Sequence, residues 1–143
     1  MSRFQYKFQA IEDIKEKIKK NSEKEYALSR KVVDAKKDEI NEIKNNLEES
    51  FTEQAKMTPQ EMIFRASYRE ALIRKMELKE KELAILEDES KHKLAQLVEH
   101  HKDHKVFERL KEKHLDEFTK EQTKLEMKFI DEIANQKFNR KEK

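Results

Sequence analysis

Met57-Thr58-Pro59-Gln60-Glu61-Met62 decides the fold. Thr58 can accept from the free amides of a following helix, and Pro59, at the first helical position, has no amide hydrogen to leave unpaired. Glu61 stands three residues after Thr58 and can close a capping box; Met57 and Met62 occupy the two positions of a hydrophobic staple. Pro59 is the one proline in 143 residues, and there is no glycine. Elsewhere the chain therefore lacks the two residues that most readily stop a helix. The motif predicts helix 1 over about 4–54, a turn over about 55–58, helix 2 over about 59–138 and a basic tail over 139–143. So short a connection favours antiparallel neighbours.

Apolar spacing on both sides agrees. Steps of four and three from Met62 pass through Ala66, Arg69, Ile73, Met76, Leu83, Leu94 and Leu97, then resume at Leu115, Phe118, Leu125 and Phe129. Polar faults fall near 87–90 and 101–111, where Leu86, Phe107 and Leu110 sit one place away. In helix 1, Tyr26, Val33, Ile40, Ile43 and Leu47 keep a similar spacing, interrupted by Ser29 and Lys36, and Phe4, Phe8, Ile11, Ile14 and Ile18 form a stripe of their own. Apolar residues at this period need a partner helix to bury them. The expectation is an all-α fold, two long helices in an antiparallel coiled-coil hairpin with the second longer than the first. A parallel homodimer of one continuous helix is the alternative that Pro59 and its staple oppose. A turn near residue 56 sets Phe51 opposite Met62, Leu47 opposite Ala66, Ile40 opposite Ile73, Ile18 near Leu94, and Phe4 near Phe107 and Leu110.

This register leaves helix 2 without an intramolecular partner beyond about residue 110. The stripe nevertheless continues through Leu115, Phe118, Leu125, Phe129 and Ile133. Burying each such side chain contributes roughly 1.5–3 kcal/mol before ordering costs, so this overhang is a candidate docking surface. A second lies just after the turn. With Met62 and Ala66 in the seam, Phe64, Tyr68 and Leu72 make an outer stripe, and aligned exposed aromatics mark contact surfaces.

Composition narrows the chemistry. Charged residues are 45% and hydrophobic ones 35%, with a net charge of +2. Without glycine there is no phosphate-cradling loop, and without cysteine no disulfide, thiolate metal site or thiol nucleophile. No apolar run approaches a membrane span, and the N-terminus has no signal-peptide stretch. The carboxylates interleave with bases along helical faces, and a two-helix fold offers no desolvated cleft to make them catalytic. The basic runs at 15–20 and 137–143 are diluted by acids or too short for a nucleic-acid surface. His100 and His104 have an i,i+4 spacing that can chelate a metal, but the simpler reading makes His101 and His104 polar seam residues. Neither metal nor cofactor is assigned. These features predict a soluble, intracellular protein that is not an enzyme.

The opening Phe4-Gln5-Tyr6-Lys7-Phe8-Gln9-Ala10-Ile11, the 57–62 turn, the run Lys105-Val106-Phe107-Glu108-Arg109-Leu110-Lys111-Glu112-Lys113 with Phe118, and Glu126-Met127-Lys128-Phe129-Ile130-Asp131-Glu132-Ile133-Ala134 stand in order along nearly the whole chain. Together they resemble the signatures of the flagellar export protein FliJ family. The resemblance implies a component of the flagellar type III export apparatus, cytoplasmic and peripheral to the inner face of the cell membrane, shaped like a rotary-ATPase stalk. It implies three partners: the pore of the hexameric export ATPase, the cytoplasmic linker of the export gate, and export chaperones. Neither nucleic acid nor membrane insertion is implied. The gate surface would include Tyr68 and Leu72, beside Phe64; the ATPase-binding end would be formed by Phe4 and Phe8 with Leu115, Phe118, Leu125, Phe129 and Ile133. A generic homodimerising structural coiled coil is the competing function.

Overall fold

The computed structural model describes residues 2–52 and 56–141. The described residues form two helices, α1 (Gln9–Thr52, 44 residues) and α2 (Pro59–Lys141, 83 residues). No strand occurs among the described residues. The fold is an all-α hairpin whose second helix is the longer. The chain divides into two compact units, one of residues 20–99 and the other of residues 1–19 with 100–143.

In the unit of residues 20–99, the helix start is built as the sequence predicts. The Glu61 amide donates to Thr58 Oγ1 at 3.3 Å, the Thr58 amide donates to Glu61 Oε2 at 3.3 Å, and the Met62 amide donates to the Thr58 carbonyl at 3.1 Å. Lys56 takes the left-handed conformation, φ 65°, in a chain with no glycine to offer. Residues 53–55 of the expected turn lie outside the described residues.

The core here is a narrow seam holding Val33, Ile40 and Ile43 of α1 and Leu72 of α2, joined by buried Ser22 and Ser90. Its α2 side differs from the predicted one in an instructive way. Burial recurs at 69, 72, 76, 79, 83, 86, 90, 93 and 97. Alternate members match the expected seam, while the others lie one residue earlier. Leu72 and Leu86 thus replace Ile73 and Glu87, while Lys93 replaces Leu94 and Ser90 stays in the seam. Both settings keep the 3.5-residue period, and burying Leu86 while freeing Glu87 for ion pairing makes the observed one better.

The register differs as well. Ser29 Oγ meets Ser90 Oγ at 3.3 Å, Lys36 Nζ meets Glu82 at 2.9 Å, and Lys79 Nζ meets Glu39 at 2.7 Å. Against the expected pairing of Ile40 with Ile73, α2 is slid by between one and two helical turns. The turn end explains the slip. Arg69 donates to the Ser50 carbonyl at 2.6 Å and to Ser50 Oγ at 3.1 Å, and its guanidinium lies 4.0 Å from the centroid of the Phe51 ring. A guanidinium thus caps the carbonyl end of α1 and covers Phe51 in place of the expected Phe51–Met62 contact. Met62, Ile63 and Phe64 are left exposed.

In the other unit, α1 begins at Gln9, where a helix from Phe4 was expected. Burial through residues 4–8 alternates: Phe4, Tyr6 and Phe8 turn inward while Gln5 and Lys7 turn out. Through Tyr6 that is the period of extended chain. Phe4 and Tyr6 reach α2 from this non-helical segment, and a turn at Lys7 and Phe8, closed by the Gln9 amide donating to the Tyr6 carbonyl at 3.2 Å, brings Phe8 in beside them. Phe4 packs on Phe118 with ring centroids 5.4 Å apart, Tyr6 and Phe8 flank His114, and the Tyr6 hydroxyl donates to the Phe107 carbonyl at 3.0 Å.

This strap changes the length of the overhang. Extended chain rises about 3.3 Å per residue against 1.5 Å in a helix, so the four steps from Ser2 to Tyr6 cover about nine residues of α2. Gln122 accordingly donates to Ser2 Oγ at 2.8 Å. The unpaired part of α2 begins beyond Gln122, where about residue 110 was expected.

Candidate functional site

Past Gln122 every described residue of α2 is exposed, and this arm carries Leu125, Phe129 and Ile133 one turn apart, with Met127, Ile130 and Phe138 beside them. Phe129 keeps 63% of its surface open. These are large side chains that the fold itself does not bury. Of the other residues expected on this surface, Phe118 is covered by Phe4, Phe8 packs toward His114, and Leu115 is half-exposed beside the seam. Phe4, Phe8 and Phe118 hold the strap, and the free apolar surface is the arm.

At the turn end, Phe64 is 75% exposed and Tyr68 is also exposed. Both line an open hollow of about 470 Å³ with Asn46, Glu49, Ser50, Thr52 and Arg65. Leu72, expected in the same stripe, is only 9% exposed and belongs to the seam. The shift of the seam by one residue is the cause: it draws Leu72 inward and turns Ile73 out.

The electrostatics belong to the hairpin rather than to any reactive centre. The Lys79 ammonium, with Lys36 behind it, holds the Glu39 carboxyl below its ordinary range, against the opposing effect of burial. Lys37 and then Arg30 do the same for Glu87. The hydrogen bond to Glu82 holds Lys36 above its ordinary value despite partial desolvation. Burial raises the Tyr6 phenol, and the Glu12 charge adds to this. The shifts at Lys36, Glu39 and Glu87 each have a structural partner on the facing helix.

The histidines are not grouped as expected. The seam passes through His100 and His104, and His101 is exposed. His104 instead meets acids from both helices, Glu12 and Glu108. Sequence reasoning missed Tyr6 and this group. Alternation of aromatics at 4, 6 and 8 was the available signal for Tyr6; the His104 group depends on a register that the turn-centred count did not give.

Among the described residues no helix is long and apolar enough to cross a membrane. Neither a curated protein nor a solved structure matches the chain. A family model described as that of the flagellar FliJ protein matches residues 4–143.

Proposed function

We propose a function from one premise: this chain belongs to the flagellar FliJ protein family. It is a non-enzymatic, stalk-like component of the flagellar type III export apparatus, acting in the cytoplasm at the inner face of the cell membrane. It binds the hexameric export ATPase through the arm, the export gate through the turn end, and export chaperones, and so promotes ATPase assembly and couples it to export.

The observation that carries this reading is the arm. Leu125, Phe129, Ile130 and Ile133 stand exposed on the part of α2 past Gln122, where every described residue is open to solvent. Burying the four contributes roughly 6–12 kcal/mol gross, of the same order as the roughly 4–15 kcal/mol that association costs, so this face supplies a large part of the driving force for docking. An isolated helix segment of this kind gains most of its stability from a packed face, so a socket lined with apolar side chains is the fitting receptor. At the turn end, Phe64 and Tyr68 are available for the gate, and Leu72 acts beneath them by holding the helix pair.

The test is stimulation of the cognate export ATPase by a Leu125→Asp, Phe129→Asp double variant. Both residues lie outside the packed seam, so the hairpin stays folded while stimulation is lost. Normal stimulation by the folded variant would remove the arm from the ATPase contact. A homodimerising coiled coil would bury the same arm against a second copy; a stable dimer in sedimentation at micromolar concentration would favour that reading instead.

A further inference from the structure

The seam at the start of α1 is oddly polar, and one group in it is arranged as a ligand set. Glu12 of α1 and His104 and Glu108 of α2 each present one ligand atom, and the three atoms lie within 4.8 Å of one another. His104 and Glu108 are four residues apart on one helix face. The His104 side chain is 5% exposed, and its Nδ1 stands 3.5 Å from Glu108 Oε1.

Glu12 supplies the independent clue. Its Oε2 is buried and has no hydrogen-bond partner. The Lys111 ammonium stands 3.9 Å from that oxygen, too far for a hydrogen bond, and donates to Gln9 Oε1 at 2.8 Å. A carboxylate oxygen removed from water without a donor is destabilising. The arrangement asks for a cation closer than Lys111 comes.

We propose that Glu12, His104 and Glu108 bind a divalent transition-metal ion of the zinc class, which clips the beginning of α1 to α2. The imidazole selects against magnesium and calcium, which prefer all-oxygen shells. Two carboxylates and one imidazole form a recognised zinc ligand set, with ligand distances of about 2.0–2.2 Å. The atoms must close up by about 1 Å to reach those distances. Glu108 is half-exposed and free to rotate, and Lys111, also partly exposed, can turn to solvent. Water completes the shell. The ion replaces apolar packing at a point where the seam offers Glu12, Lys15 and His104.

The experiment titrates the full chain with Zn²⁺ by calorimetry, with Mg²⁺ as the comparison ion, and follows the thermal unfolding midpoint. One Zn²⁺ per chain binds in the micromolar range and raises the midpoint, and Mg²⁺ does neither. Glu12→Gln, close to isosteric, and Glu108→Gln, at an exposed position, each weaken binding at least tenfold and abolish the rise. His100→Ala leaves both unchanged, which separates this group from the i,i+4 pair of His100 and His104. Absence of Zn²⁺ binding, binding indifferent to Glu12→Gln, or binding abolished by His100→Ala would overturn the proposal.

Discussion

Leu72 and Ile73 are adjacent, equally large and equally apolar, yet the structure assigns them opposite roles. Leu72 is 9% exposed in the seam and Ile73 is 40% exposed beside it. Leu72→Ala removes three carbons from an enclosed site. At about 0.8 kcal/mol per methylene, plus the hole they leave, the loss is about 2.5–4 kcal/mol. Ile73→Ala removes as many carbons from a site that is already partly wet and encloses no cavity, so the loss is about 1 kcal/mol. The gap of at least 1.4 kcal/mol is tenfold or more in the folding equilibrium. Urea unfolding followed by helical circular dichroism reads both values from one pair of proteins. Equal losses, or a larger loss at Ile73, would refute the seam described here and restore the setting one residue later. The same pair bears on function: a gate-binding defect in Leu72→Ala has to be weighed against its unfolded fraction, whereas one in Tyr68→Ala does not.

Two further perturbations test the contacts around that seam. Arg69→Lys keeps the charge but loses the paired donation to Ser50 and the planar cover on Phe51; urea unfolding should show about 1–2 kcal/mol less stability, and an unchanged midpoint would mean the guanidinium does not hold the turn end. Acid should also destabilise the hairpin. Glu39 and Glu87 are held below their ordinary value of 4.5, so their contribution is complete above that pH and is lost as pH falls through the lowered values. The sign reverses for Lys36, raised from 10.5: its contribution is complete below that value and is lost as pH rises through the raised one. Urea midpoints should drop between pH 5 and 3, and less so in Glu39→Gln, Glu87→Gln; an equal drop in that variant would contradict the assigned ion pairs.

The capping box of Thr58 and Glu61 was legible, because a cap is local chemistry written in consecutive side chains. The α1 seam was legible from Tyr26 to Leu47 for a similar reason: apolar residues repeat there with few rivals. On α2 the pattern admitted two settings, since Ile73 and Leu94 favour the later one while Leu72, Leu86 and Phe107 favour the earlier. Only the partner helix chooses between them. The N-terminal aromatics misled because Phe4, Phe8 and Ile11 also suit a helical period, while Tyr6 between them tips the balance to extended chain. Register could not be counted from the turn, because two long arginines at 65 and 69, rather than apolar contact, bind α1 to α2 there. The exposed arm was foreseen as a consequence of unequal helix lengths, and its start moved outward once the strap was extended.

Amide hydrogen exchange over residues 123–138, with and without the export ATPase, addresses the arm most directly. In the free chain these amides should exchange fast, since a helix without a packed face frays, while those around Val33 and Ile40 exchange slowly. Adding the ATPase should slow exchange in 123–138. An arm as protected as the Val33 region before any partner is added, or one whose exchange is unmoved by the ATPase, would contradict the account.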